Sequence, residues 1–224
     1  MRNIYLLLLF FIFLETVLIL YSIIRSPEKC SAIKNFIDSY VNSITLIEGI
    51  KDINISCNSI YMNKPVKAIA VFHDKKIKGT VVFTEDLKRG CVIIDIDIVG
   101  LYKHHLHGFH VHESGDLTNH CDSMCAHFNP YHKNHGCPGK KERHVGDLGN
   151  LQTDANGCAR YSFTDDMIKL RGSKANIIGR GLIIHADTDD CGMGGNDASL
   201  KNGNAGKRIA CAIIGYSQDN FTCS

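Results

Sequence analysis

The chain has 224 residues, which leaves room for one domain of ordinary size plus appendages. Its 44% hydrophobic and 21% charged residues are a globular balance that excludes a disordered chain, and a net charge of +2 is too small to argue for a nucleic-acid partner. Twelve His, ten Cys and no Trp are the unusual entries, and they raise metal binding and disulfides as questions for the individual residues.

From Ile4 to Ile24 the chain is apolar, broken chiefly by Glu15, and Arg25 stops it. The run is close to the ~20 residues that a helix needs to cross a bilayer. Its first half, Ile4–Leu14, also resembles the core of a secretory signal. No small-x-small cleavage site stands near Ser22–Ser26, so residues 1–25 read as a hydrophobic helix, either signal peptide or membrane anchor. Both readings send the remainder through the secretory pathway, to an extracellular or membrane-anchored place in an oxidising compartment. Ten cysteines agree with that route, and the sequons at Asn54 and Asn220 add a little weight. Residues 26–63 read as a stalk, with Ile33–Ile50 at helical spacing.

At Val66 the period changes to two. Val66, Ala68, Ala70 and Phe72 alternate with Lys67, Ile69 and Val71; Thr80–Thr84 follows; in Val92–Val99 three isoleucines face away from Asp95 and Asp97. Asp154-Ala-Asn-Gly157 is a hairpin signal, and Tyr161–Phe163, Gly181–His185 and Arg208–Tyr216 supply further strands. Many short strands and few helices predict an all-β antiparallel sandwich or barrel. Two long segments, Glu113–Gly149 and Ala186–Lys207, are left as loops, and loops of that length are usually functional. The strand domain is placed at 64–218, with 219–224 as a C-terminal tail.

His110 and His112 stand two apart on a predicted strand, so both imidazoles project from one face. Taken alone, such a pair is more often plain surface than a metal site. His127, His135, His144 and Asp147 follow in the first loop, and three imidazoles with one carboxylate suit zinc. His185 ends a strand downstream, and these seven groups fit two sites if one imidazole serves both.

Gly108-Phe-His-Val-His-Glu-x-x-Gly-Asp116, His127-Phe-Asn-Pro130, Glu142-Arg-His-Val-Gly-Asp-Leu-Gly-Asn150 and Gly203-Asn-Ala-Gly-x-Arg-x-Ala-Cys211 resemble the signature blocks of the copper–zinc superoxide dismutases, in order and spacing. The resemblance implies a Greek-key β-barrel with a metal-binding loop and an electrostatic loop. It implies one copper and one zinc per subunit. Copper would take His110, His112, His127 and His185; zinc would take His127, His135, His144 and Asp147. His127 would bridge the two ions and carry a proton, Arg208 would hold the superoxide anion, and Asp189 would hydrogen-bond a histidine of each site. Cys121 and Cys211 would form the family's disulfide, although connectivity does not follow from sequence alone. His107 matches a structural histidine of the family, while His104, His105, His120 and His132 read as ordinary residues. The alternative, a non-catalytic or metallochaperone-like member of the fold, is opposed by retention of every ligand and of Arg208.

Several positions depart from the family pattern. Asp187, Ala198 and Asn202 alter the second loop, which predicts weaker salt-dependent steering of the substrate; Ala126 and Cys137 replace a Pro and a Gly-like position. Proximity in sequence suggests a further disulfide between Cys125 and Cys137. A homodimer is expected, with Gly115 and Ile178 at the contact and Tyr216 as a possible disturbance of it.

Overall fold

The computed structural model describes residues 64–221. The hydrophobic segment 1–25, the stalk 26–63 with Cys30, Cys57 and the Asn54 sequon, and Cys223 lie outside the described residues. Among the described residues no helix is long and apolar enough to cross a membrane.

Eight strands follow one another: β1 Lys67–His73, β2 Lys78–Asp86, β3 Cys91–Val99, β4 Leu106–His112, β5 Asp147–Gln152, β6 Ala159–Asp165, β7 Gly181–His185 and β8 Arg208–Tyr216. One short helix, α1 Ser199–Asn202, interrupts the segment before β8. Every pairing between named strands is antiparallel, in the order β5-β4-β7-β8-β1-β2-β3-β6, and the sheet curls into a nearly closed barrel. The alternation seen in the sequence sets which side chains face inward. Ala68, Ala70 and Phe72 of β1 and Ile94, Ile96 and Ile98 of β3 are buried, while Asp95 and Asp97 are exposed. Val81, Phe83, Phe109, Val111, Leu182, Ile184, Ala212 and Ile214 complete the same core. Burying each large apolar side chain is worth about 1.5–3 kcal/mol, so this pattern fixes the register of every strand.

Two expectations need correction. Asp147–Gly149, assigned to the first loop, begins β5, which pairs with β4 through Leu106↔Gln152 and His110↔Asp147. Asp, Gly and Asn are weak strand formers, and they hid it. The Asn156-Gly157 turn exists, with Gly157 at φ +76° and Asn156 and Cys158 donating to Asp154 Oδ1 at 2.8 and 2.9 Å. A side chain at Gly157 would also strike the Leu101 carbonyl, 2.2 Å from where its Cβ would lie. The turn does not close a hairpin ladder, however. It joins β5 to β6, the two edges of the strand order, which meet where Gln152 N–H donates to the Tyr161 hydroxyl at 3.0 Å.

The chain continues past β8 into a turn, Gln218–Asn220, that folds back on β1. Lys67 N–H donates to Asn220 Oδ1 at 2.9 Å, and Asn220 Nδ2 donates to the Lys67 carbonyl. The side-chain amide of the second sequon is thus engaged with backbone.

Candidate metal centre

Strand β4 supplies the first part of the site. Phe109 and Val111 point into the core, so His110 and His112 project from the other face. Ile183 of β7 pairs with His110, which places His185, two residues on, beside it on that face. The two loops then cover the histidines, and all three are at most 5% exposed. His127 reaches the group through an isolated bridge to His112. Its ring centroid lies 4.0 Å from that of His110 and 4.9 Å from that of His112.

Hydrogen bonds fix which nitrogen of each ring is free. His110 Nε2 donates to Asp189 Oδ2 at 2.7 Å, His112 Nδ1 to the Cys125 carbonyl at 3.0 Å and His185 Nδ1 to the Gly206 carbonyl at 3.1 Å. The opposite nitrogens, His110 Nδ1, His112 Nε2 and His185 Nε2, are buried with no hydrogen-bond partner, and so is His127 Nε2. A buried unsatisfied nitrogen is costly, and four whose ligand atoms lie within 4.8 Å of one another form a donor set suited to a transition metal. Burial holds the pKa of His110 and His112 well below that of free histidine, and it lowers that of His127. Burial also lowers His185, to about 4. These rings are therefore neutral at pH 7, as coordination requires.

The second set converges on one oxygen. Asp147 Oδ1 lies 2.9 Å from His127 Nδ1 and 3.0 Å from both His144 Nδ1 and His135 Nδ1. Asp147 Oδ2 accepts from the backbone N–H groups of Gly136 at 3.1 Å and His144 at 2.8 Å, which turns Oδ1 toward the rings. Burial opposes ionisation of this carboxyl, but the three imidazoles outweigh burial and hold its pKa far below the usual range. Three imidazoles and an ionised carboxylate match the donor set and tetrahedral number that zinc takes. His127 belongs to both sets, with Nε2 facing one and Nδ1 the other.

Asp189 ties the two together. Its Oδ2 accepts from His110 and its Oδ1 from His135 Nε2, each at 2.7 Å, and it is 2% exposed. Burial lowers the pKa of His135, but hydrogen bonds to Asp147 and Asp189 overcome that effect and raise it to about 9. Asn150 grips Asp189 at both ends of its backbone, donating to its carbonyl at 2.9 Å and accepting its N–H at 2.8 Å. Gly203, at φ +66°, leaves the space that this arrangement occupies. A Cβ there would lie 2.0 Å from Asp189 Oδ1 and 2.5 Å from His135 Nε2.

Arg208 starts β8, paired with His185 across a register shift. Its guanidinium donates to the Cys121 carbonyl at 2.6 Å and to the Cys125 carbonyl, the same oxygen that orients His112. The Cys121–Cys211 disulfide, spanning 90 residues, joins that loop to β8 and so holds the carbonyls under Arg208. Every predicted site residue is thus brought together.

Other features were not read from the sequence. Cys137 pairs with Cys191, not with Cys125, whose thiol is free and exposed. Sequence proximity misled because the partner lies on the other loop, 54 residues away. Arg143 is 1% exposed, donates to the Asp147 carbonyl at 2.8 Å and pairs with Asp165 at 2.6 Å, fixing the backbone under the second set. Its position inside the Glu142–Asn150 block was the available signal. Among the other predicted histidines, His107 is fully buried and bonds the His185 carbonyl at 2.7 Å.

The sequence profile described as copper/zinc superoxide dismutase (SODC) matches residues 77–214. The chain is 60% identical over 164 residues to the Cu-Zn superoxide dismutase of Paramecium bursaria Chlorella virus 1, covering 73% of this chain and 86% of that one. It is 51% identical over 153 residues to that of Yarrowia lipolytica, covering 68% of this chain and 99% of that one. Among solved structures, that of the clock protein EA4 superposes with a TM-score of 0.66 at 45% identity, covering 69% of this chain and 96% of that one. The chain belongs to the copper/zinc superoxide dismutase family, oxidoreductases that act on superoxide with copper and zinc as cofactors.

Proposed function

We propose that His110, His112, His127 and His185 hold the copper, and that His127, His135, His144 and Asp147 hold the zinc. The single observation that carries this division is the set of four unsatisfied buried nitrogens facing one another, beside a second set gathered on Asp147. Bound there, copper would supply a one-electron couple able both to oxidise and to reduce superoxide, while zinc would supply no redox chemistry.

This chain's own residues do the rest. His127 offers a nitrogen to each set, and Nε2, when it is not holding the copper, would take up one proton and pass it to the departing peroxide, with solvent supplying the second. Arg208 holds the substrate anion: its charge is permanent, and the Cys121 and Cys125 carbonyls fix the direction of its fork. Asp189 accepts from Nε2 of both His110 and His135 and so turns Nδ1 of each ring toward its own set. The non-catalytic alternative is not favoured, because every ligand and Arg208 are present. Metal analysis of the purified protein, paired with inhibition of cytochrome c reduction by superoxide, tests the assignment. One copper and one zinc with dismutation are expected; both metals bound without dismutation would defeat it.

Residues 1–25 tether or export the chain, supported by the apolar run Ile4–Ile24, and the domain works in an oxidising compartment, supported by the cysteine count. The protein forms a homodimer through the final strand and the disulfide loop, with Gly115 and Ile178 at the contact. Its support is Ile213 of β8, an apolar side chain that stands 41% exposed. Steering is weaker than in the family's fastest members because Asp187 adds negative charge near the channel and Ala198 and Asn202 alter the pattern of the second loop, so the rate falls only gently with added salt.

A further inference from the structure

The Cys137–Cys191 disulfide joins the two loops at a particular place. Cys137 stands two residues past His135 on the first loop, and Cys191 two residues past Asp189 on the second. His135 Nε2 donates to Asp189 Oδ1 at 2.7 Å, and the Cys191 backbone N–H donates to that same oxygen at 2.7 Å. The covalent bond therefore closes a small ring: His135, Gly136, Cys137, Cys191 and back through Asp189 to the His135 imidazole. Gly136 in that ring also donates to Asp147 Oδ2 at 3.1 Å.

The backbones meet at the same point. His135 N–H donates to the Leu200 carbonyl at 2.8 Å, and a Cβ on Gly192 would lie 2.6 Å from the His135 carbonyl. Cys191 itself is held at φ +62°, a left-handed conformation that a side chain other than glycine adopts only when its surroundings impose it. The disulfide and the hydrogen bond to Asp189 are those surroundings.

We propose that Cys137 and Cys191 act as a positioning pair that holds His135 and Asp189 in ligand geometry independently of zinc, and that this clamp slows the departure of zinc from the folded protein. The inference rests on the assignment of His135 to the zinc site. Its consequence reaches the other metal, because Asp189 also fixes His110 at 2.7 Å.

The test uses the full chain loaded with both metals, the Cys137→Ser/Cys191→Ser double variant, and Cys158→Ser as a control that alters a remote free thiol. Zinc transfer to a chromophoric chelator is timed, and the absorption spectrum of cobalt substituted for zinc is recorded. The double variant is expected to lose zinc about 10- to 100-fold faster, with an altered cobalt spectrum, and Cys158→Ser to match the parent. Equal release rates and identical cobalt spectra would overturn the clamp, as would peptide mapping that finds Cys137 and Cys191 unpaired in the parent. If the parent itself takes up no zinc, the site assignment fails instead. Should the double variant not fold, hydrogen exchange of the metal-free parent decides: protected His135 and Cys191 amides support the clamp, and free exchange at both contradicts it.

Discussion

Strands β4 and β7 and the two loops solve one problem, the placement of imidazoles, in different ways. On the strands, His110, His112 and His185 are positioned by the pleat itself, because the core fixes Phe109, Val111 and Ile184 and alternation does the rest. On the first loop, His127, His135 and His144 have no periodicity to place them. They are held by Asp147, by Asp189, by the buried Arg143–Asp165 pair and by two disulfides. The strand-borne ligands thus draw on hydrophobic stability, whereas the loop-borne ones depend on polar contacts that must all be satisfied together. Damage on the loops should therefore remove metal before it unfolds the barrel.

His127 lies where the two regimes meet, so its removal gives the largest effect. His127→Ala should cut dismutation by about 100-fold or more, with the copper EPR spectrum changed and the thermal transition nearly kept. Activity within a fewfold of the parent would break the comparison. Arg208→Ala comes next. The rate should fall about tenfold or more, and the residual activity should respond less to added salt. An unchanged dependence on ionic strength would show that the charge is not used for capture.

Gly203→Ala probes the loop contacts without replacing a ligand. The added methyl collides with Asp189 and His135 and must sit at φ +66°, so a loss of about 1–3 kcal/mol in thermal unfolding and a lower zinc content are expected. Reducing the Cys121–Cys211 link by Cys211→Ser should cost about 2–4 kcal/mol in the same assay and free Arg208 from its carbonyls.

The smallest effect is that of pH on the metal-free protein. Burial lowers His110, His112 and His127 and takes His185 to about 4, so between there and the unfolded value of about 6.5 the unfolded chain binds more protons. Stability should drop as pH falls through that window, and these rings should leave it level above. His135 works in the opposite sense. Raised to about 9, it stabilises fully below about pH 6.5 and loses that contribution as pH rises toward 9. At pH 7.5, zinc binding should accordingly release close to one proton from His135, measurable by titration calorimetry in buffers of different ionisation enthalpy.

Legibility in the sequence followed the same division. Period-two runs such as Ala68-Ile-Ala-Val-Phe72 and Ile94-Asp-Ile-Asp-Ile98 revealed strands because one face must be apolar. His110-x-His112 revealed a shared face for the same reason. Strand β5 stayed hidden because Asp147, Gly149 and Asn150 are chosen for the site and not for the pleat. Asn156-Gly157 announced a turn truthfully but could not say that its strands belong to opposite edges. The Cys137–Cys191 pairing was out of reach, since it depends on two long loops meeting in space. Similarly, nothing in the letters around Gly203 announces that Asp189 occupies the room of its missing side chain.

Anomalous diffraction from crystals of the metal-loaded protein, recorded at the copper and zinc edges, bears most directly on the shared histidine. The account predicts two distinct ions, with His127 Nε2 against the copper and Nδ1 against the zinc. A His127 ring that meets one ion alone, or both edges reporting a single site, would contradict it.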